Sequence, residues 1–405
     1  MYCTHLAAAN FRNYVRLDLH LPRGVAIVVG DNAQGKSNLL EALYLLATTR
    51  SFRAGADREL VNFGALEGDL PFSRVSASVQ RQAGEVHVEA IISQSPGSGQ
   101  PELAGAPMMM TKKLRVNGVP RRAVDYIGAI NVVMFSPRDI ELVDGPPSGR
   151  RRYLDVTICQ VEPRYVRALS RYNKVLLQRN HLLRQIREGR ARVESLAPWD
   201  HELVATGAYV VQQRQETLTA IAGFAREYYR QLTGRQEVLA IDYRSSVSLE
   251  PAGPGAAPDI AESYRQQLRA AQRRDVAAGA CCLGPHRDDL AFIALERDMA
   301  LYGSRGQQRT VTLALKLAEA AFLRQRTGEQ PILLLDDVLS ELDEHRRRFV
   351  LGSIEPDQQV ILTATDLDAF APEFVAEATG YRVEAGIISR LSAPAAPARI
   401  AEASA

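Results

Sequence analysis

A chain of 405 residues, 46% hydrophobic and 24% charged, can bury a sizeable core and has room for two or three structural units. No apolar run approaches the roughly 18 residues a membrane span needs, and no charged-then-apolar leader precedes Asn10-Phe11-Arg12, which predicts a cytoplasmic protein with no membrane partner. The cysteines Cys3, Cys159 and Cys281-Cys282 include no Cys-x-x-Cys and no His at metal spacing, so they read as reduced thiols rather than disulfides or zinc ligands.

In chain order, residues 1–30 carry alternating apolar positions, Val15, Leu17, Leu19 and Leu21, that predict antiparallel strands. The run Val25-Ala26-Ile27-Val28-Val29 then predicts a buried parallel strand, and Asn38 to Leu46 a helix. Between them lies GDNAQGKS, residues 30–37, in the strand, loop and helix order that a phosphate loop requires. Gly30 and Gly35 let the backbone curl around Asp31, Asn32, Ala33 and Gln34, so that N–H groups and a helix N-terminus face phosphate oxygens. Lys36 is placed to reach the β/γ-phosphates of a nucleoside triphosphate, and the Ser37 hydroxyl to ligate Mg²⁺.

From about 70 to 135 strand signals continue, including Val86 to Ile92 and the Asn117-Gly118 turn before Val119, which predicts a mixed-sheet region. A Gly/Pro/Ser-rich stretch at 94–107 predicts a flexible loop. Residues 150–194 hold twelve Arg or Lys against four Asp or Glu, a local net charge of +8. Within it Tyr165, Leu169, Tyr172, Leu176 and Leu183 recur at helical spacing, as do Val204, Ala208, Val211, Leu218, Ala222 and Ala225 beyond Pro198. These stripes predict a helical hairpin over 156–232 with its basic face outward. That face is either simply solvated or a surface for a nucleic-acid backbone. A strand-like Val238 to Tyr243 and a loose PAGPGAAP at 251–258 follow, and 392–405 predicts a disordered tail.

A second chemical motif lies some three hundred residues after the first. Pro331 to Leu335 predicts a buried strand that ends in Asp336-Asp337, at the edge where a parallel sheet presents ligands. Asp336 suits a Mg²⁺ shell and Asp337 the orientation or deprotonation of an attacking water, although paired carboxylates also cap helices. Just upstream, GSRGQQRT at 303–310 opens a helix through Thr312, Leu315 and Leu317, for which a plain cap is the default reading.

NFRNY at 10–14, GDNAQGKSNLLEALYLLATTRSFR at 30–53, FSPRD at 135–139, GPPSGRRRYLD at 145–155, GPHRDDL at 284–290, GSRGQQRT and LLLDDVLSELD at 333–343 together closely resemble the RecF family of bacterial DNA replication and repair ATPases, nearly end to end. That family is related to the ABC-type heads of SMC proteins. The resemblance implies an α/β, ABC-type P-loop ATPase head with mixed sheets at 1–155 and 276–391, and an inserted helical arm at 156–275. It implies ATP and Mg²⁺, an ATP-dependent homodimer, sequence-independent DNA binding at gaps or junctions, and partner mediators of the RecR/RecO type. It further implies help in loading recombinase, support of the SOS response, and a weak DNA-stimulated ATPase.

By the same resemblance, Ser304, Gly306 and Gln307 would face the γ-phosphate held by the other protomer, and Asp343 would communicate between the two sites. Arg12 and Asn13 become ATP contacts, with a surface turn as the alternative; separately, Arg50 and Arg53 after the phosphate-loop helix, with Arg150, Arg151 and Arg152, are the arginines expected to contact DNA. The chain departs from the family pattern at Arg305 and Gly149, where Gln and Glu are usual. Asp337 stands for the commoner Glu and Thr365 for a switch histidine, which predicts slow turnover; no glutamine follows Met134-Phe135, where the family has a lid contact to metal. His286 in GPHRDDL reads as part of a salt-bridged loop. A transporter ATPase would carry Leu-Ser-Gly-Gly-Gln, and a small-molecule phosphotransferase an arginine-bearing lid near a compact core; the chain shows neither.

Overall fold

In the computed structural model, residues 1–68, 71–94, 110–234, 237–248, 259–368 and 370–391 are described. The expected flexible loop at 94–107, apart from Gln94, the connection at 251–258 and the tail at 392–405 lie outside them. The chain packs as two compact units: residues 1–120, 134–137 and 330–405, and residues 121–133 and 138–329. The second therefore gathers most of 121–155, and all of 276–329, around the helices, where the sequence expectation assigned these stretches to the head.

Two six-stranded sheets lie mainly in unit one. The first is antiparallel, in the order Tyr14–His20, Tyr2–Phe11, Phe72–Arg81, Gly84–Gln94, Met110–Val116 and Val119–Arg121. Leu17, Leu19 and Leu21 face inward as their alternation predicts, but Val15 is 67% exposed and Tyr14 takes the inward place. The reason is local, because the Tyr14 hydroxyl donates to the Gly35 carbonyl at 3.0 Å.

The second sheet runs Ile387–Arg390, Thr379–Glu384, Val25–Val29, Val360–Ala364, Ile332–Asp336 and Val132–Phe135. Val25–Val29 pairs in parallel with both Val360–Ala364 and Thr379–Glu384, and Ile332–Asp336 pairs in parallel with Val360–Ala364. Parallel strands covered on both faces should read as continuous apolar runs, and Val25–Val29, Val360–Ala364 and Ile332–Asp336 largely do, whereas Thr379–Glu384 ends in alternating buried and exposed residues. Val25–Val29 lies next to the last two long strands of the chain, so distant sequence segments become neighbours. Buried Gln359 links the two sheets: it accepts from the Cys3 N–H at 2.7 Å and donates to the carbonyls of Cys3 and Pro22.

Unit two is mainly helical, with helices Pro147–Cys159, Pro163–Arg187, Ala197–Leu232, Ile260–Ala278 and Arg305–Thr327. Antiparallel strands Leu239–Arg244, Asp289–Ala294 and Arg297–Asp298 complete it. The predicted stripes meet here: Tyr165, Tyr172, Leu183, Val204, Val211 and Ala225 are all buried. Pro198 begins the second long helix rather than breaking a stripe, since a first-turn proline forfeits no helical hydrogen bond.

The predicted outward basic face forms only in part. Arg167 and Arg171 are exposed and pair with Asp125 and Glu202, whereas Arg179 is fully buried between Asp200 and Asp275, each at 2.7 Å. Helical spacing alone could not tell these arginines apart. No described helix is long and apolar enough to cross a membrane.

Candidate nucleotide site

Asp336 on Ile332–Asp336 pairs with Thr363, which pairs with Val28 at the end of Val25–Val29. One row across three parallel strands thus brings the acidic motif to the phosphate loop. The Ser37 hydroxyl donates to Asp336 Oδ1 at 2.6 Å, closing a separation of 299 residues. Both are oxygen donors of the kind Mg²⁺ prefers, so the pair fits a divalent cation.

The loop is held from outside. Gly30 has φ +152, and a Cβ there would lie 2.4 Å from the Val383 carbonyl oxygen. Gly35 has φ +122, and its Cβ would lie 2.7 Å from the Asn13 side chain. Both positions require glycine for conformation and for space. Asn13 Nδ2 donates to the Gln34 carbonyl at 2.7 Å, Asn13 Oδ1 accepts from Asn38 Nδ2 at 2.8 Å, and the Gly386 N–H reaches the Gln34 carbonyl at 3.1 Å. Lys36 donates to the carbonyls of Gly30 and Asp31. Burial pulls its pKa below the ordinary value, opposed by Asp337, Asp31 and Asp336.

Arg12 and Asn13 therefore brace the loop. Arg12 forms a two-bond pair with fully buried Glu41 on the loop's own helix Lys36–Thr48, at 2.8 and 2.7 Å, and donates a third bond to the Glu59 carbonyl. Glu41 escaped sequence reasoning, although a carboxylate inside Leu39-Leu40-Glu41-Ala42-Leu43 signals a buried partner. Thr363 escaped too: its hydroxyl donates to Asp336 Oδ1 at 3.1 Å and accepts the Asp337 N–H at 3.0 Å. Asp337 has φ 52, in the left-handed region. Asp tolerates it better than most residues, and such outliers cluster at functional sites. Thr365, expected at the switch position, is exposed just after the strand Val360–Ala364.

In unit two, Ser304 caps helix Arg305–Thr327 in a reciprocal box. Its hydroxyl accepts the Gln307 N–H at 3.3 Å, and Gln307 Oε1 accepts the Ser304 N–H at 2.9 Å. The default cap reading is thus realised. Ser304 and Gly306 are also exposed, no acidic residue occupies the first turn, and a Cβ at Gly306 would meet nothing within 4 Å. In unit one, Asp343 caps helix Glu344–Gly352 by accepting the Arg346 N–H at 2.9 Å, the bond that chiefly lowers its pKa.

The arginines expected at DNA divide. Arg50, Arg53 and Arg152 are exposed. Arg150 is 7% exposed, bound to both oxygens of Asp289 at 2.6 and 3.0 Å and to the carbonyls of Gly145 and Val143. Its donors are spent internally, which corrects its assignment to the DNA surface. Arg151 is half-buried and donates to the Asp288 carbonyl at 2.7 Å. GPHRDDL is the centre of this polar core. His286 lies between the Tyr172 hydroxyl at 2.6 Å and the Cys281 carbonyl at 3.0 Å, and burial lowers its pKa to about 4.

Residues 2–379 match the family model described as the RecF/RecN/SMC N terminal domain. The DNA replication and repair protein RecF of Chloroflexus aurantiacus is 46% identical over 394 residues, covering 95% of this chain and 99% of that protein. The chain belongs to the RecF family. A solved structure of the recombination mediator protein RecF-ATP in the RecFOR pathway superposes with TM-score 0.82 at 32% identity, covering 96% of this chain and 98% of that one. An Smc head domain from Pyrococcus furiosus, at TM-score 0.52 and 16% identity over 96% of each chain, shares the fold. The ABC-type head with added helices expected of a RecF-family chain is the architecture observed.

Proposed function

We propose that this chain binds ATP and Mg²⁺ at its phosphate loop and uses them to close two copies of itself on DNA, as a RecF-type replication and repair protein. The Ser37–Asp336 contact carries the reading, because it unites the two halves that nucleotide chemistry needs. Ser37 and Asp336 would hold the cation, which when bound neutralises charge on the β- and γ-phosphates. Lys36 exchanges its two carbonyl acceptors for phosphate oxygens, a gain in charge complementarity. Asp337, its backbone anchored by Thr363, positions the attacking water.

The exposed start of helix Arg305–Thr327 suits a terminal phosphate, through its N–H groups and the positive end of its dipole. In this reading Ser304, Gly306 and Gln307 meet the γ-phosphate of the partner copy. ADP offers no such group, so ATP favours the dimer. Asp343 links the two sites. Arg50, Arg53 and Arg152 remain for sequence-independent DNA contact, whose affinity falls steeply with salt. RecR- and RecO-type mediators complete the setting, with recombinase loading at gaps or junctions as the outcome.

Single-turnover hydrolysis with separate nucleotide-binding measurements tests the site. Asp337→Asn is expected to keep ATP affinity within a few-fold while slowing turnover by about 10²-fold or more. Asp336→Asn is expected to lose the Mg²⁺-dependent part of the affinity. Wild-type turnover in both variants would overturn the assignment.

A further inference from the structure

His5 and His20 are direct cross-strand partners in the antiparallel pair Tyr2–Phe11 and Tyr14–His20, and Asp18, two residues before His20, lies on the same face. A bulge between Cys3 and His5, in the pairing with Phe72–Arg81, creates this face. Cys3 is fully buried, and regular alternation would send His5 inward with it; the extra residue turns His5 outward instead.

His5 Nε2 lies 2.7 Å from Asp18 Oδ1, and the His5 and His20 rings are 4.8 Å apart between centroids. One donor atom from each of the three residues lies within 4.8 Å of the other two, the single such group among the described residues.

We propose that His5, His20 and Asp18 form a binding site for a divalent transition-metal ion of the zinc class, bridging the first two strands of the chain. Two imidazoles and one carboxylate suit Zn²⁺, Co²⁺ or Ni²⁺, whereas Mg²⁺ prefers an all-oxygen shell. Metal–ligand bonds of about 2.0–2.2 Å set tetrahedral donors roughly 3.3 Å apart. Donors already within 4.8 Å of one another are close to that spacing. The side chains of His5 and Asp18 are 30% and 58% exposed, so an ion has access and water can fill the remaining position.

A bare ion pair employs His5 and Asp18 and leaves the His20 ring only a contact with His5; a metal employs all three as ligands. The backbone is firm here, since the Tyr381 hydroxyl donates to the His20 carbonyl at 2.7 Å. The same two strands join at their other end through Arg12 and Asn13, where Asn13 braces the phosphate loop. A bound ion would fasten the opposite end of that hairpin. The site is independent of the nucleotide reading.

The test uses tag-free full-length protein, stripped with chelator and free of nucleotide, titrated with Zn²⁺ by calorimetry and with Co²⁺ by visible absorption. The expected result is one bound equivalent, a Co²⁺ band of His/carboxylate ligation, and a thermal midpoint raised by a few degrees at saturation. His20→Ala should weaken Zn²⁺ binding about tenfold or more. His87→Ala should leave it unchanged, because Ser78 stands between His87 and His5 in the cross-strand row. Excess Mg²⁺ should not compete. His20 is exposed, so its removal leaves the fold intact and decides the matter even if His5→Ala misfolds. No saturable binding up to about 100 µM, or equal affinity in wild type and His20→Ala, would overturn the proposal.

Discussion

The phosphate-loop unit and the helical unit use the same charged residue types to opposite ends. Around the loop, buried Asp336 and Lys36 are held by neutral groups: Asp336 meets the Ser37 hydroxyl and Lys36 rests on backbone carbonyls, while Asp337 sits in a left-handed conformation. Among the helices, the buried arginines are bonded to opposite charge. Arg214 is bound to both oxygens of Asp155, to the Tyr165 hydroxyl and to the Pro285 carbonyl, while Asp288 accepts from Tyr243 and from the Ser246 N–H. A cluster of arginines in sequence thus says little until burial sorts it. Removing a charge should cost chemistry in the first unit and folding in the second.

The largest expected effect is structural. Arg214→Ala takes the bonded guanidinium from Asp155, which keeps only the Tyr165 hydroxyl of these partners, and should destabilise the protein by about 3–5 kcal/mol, read by denaturant unfolding. An effect below about 1 kcal/mol would erase the contrast between the units.

Next comes pH. Folded His286 has a pKa near 4 against an ordinary 6.5, so between these values the unfolded chain takes up a proton that the folded chain refuses. Stability is therefore full above pH 6.5 and is lost as pH falls toward 4, by an amount of the order of 3 kcal/mol. Denaturation midpoints across this window measure it, and His286→Gln should flatten the slope by up to about 1.4 kcal/mol per pH unit.

The smallest effect belongs to helix Arg305–Thr327 and its Ser304 cap. Ser304→Ala removes a capping acceptor and should cost about 1 kcal/mol. If ATP-dependent association falls by much more than this loss explains, the serine acts beyond its cap.

Much of the first unit was legible because its signals are local. The strand Val25–Val29 and the helix Lys36–Thr48 follow from a continuous apolar run and a glycine-framed loop, and Ile332–Asp336 from four apolar residues before two carboxylates. What escaped depends on partners distant in sequence. Thr363 gains its role only because its strand lies between the two motif strands, and Glu41 only because Arg12 reaches it. In the second unit the hydrophobic stripes were legible, yet periodicity cannot show which arginine turns inward. Arg150 and Arg152 are two residues apart, one with its donors spent on Asp289 and two carbonyls, the other exposed. The grouping of 276–329 with the helices reflects tertiary packing that no window of sequence contains.

The central claim is that each nucleotide site is completed by a second copy. Mixing Lys36→Ala protein with Ser304→Arg protein tests it most directly, since each variant spoils a different half and a mixed dimer retains one intact site. Both proteins, folded and singly inactive, are expected to regain ATP-dependent dimerisation and hydrolysis when combined. A mixture as inactive as its components would contradict it.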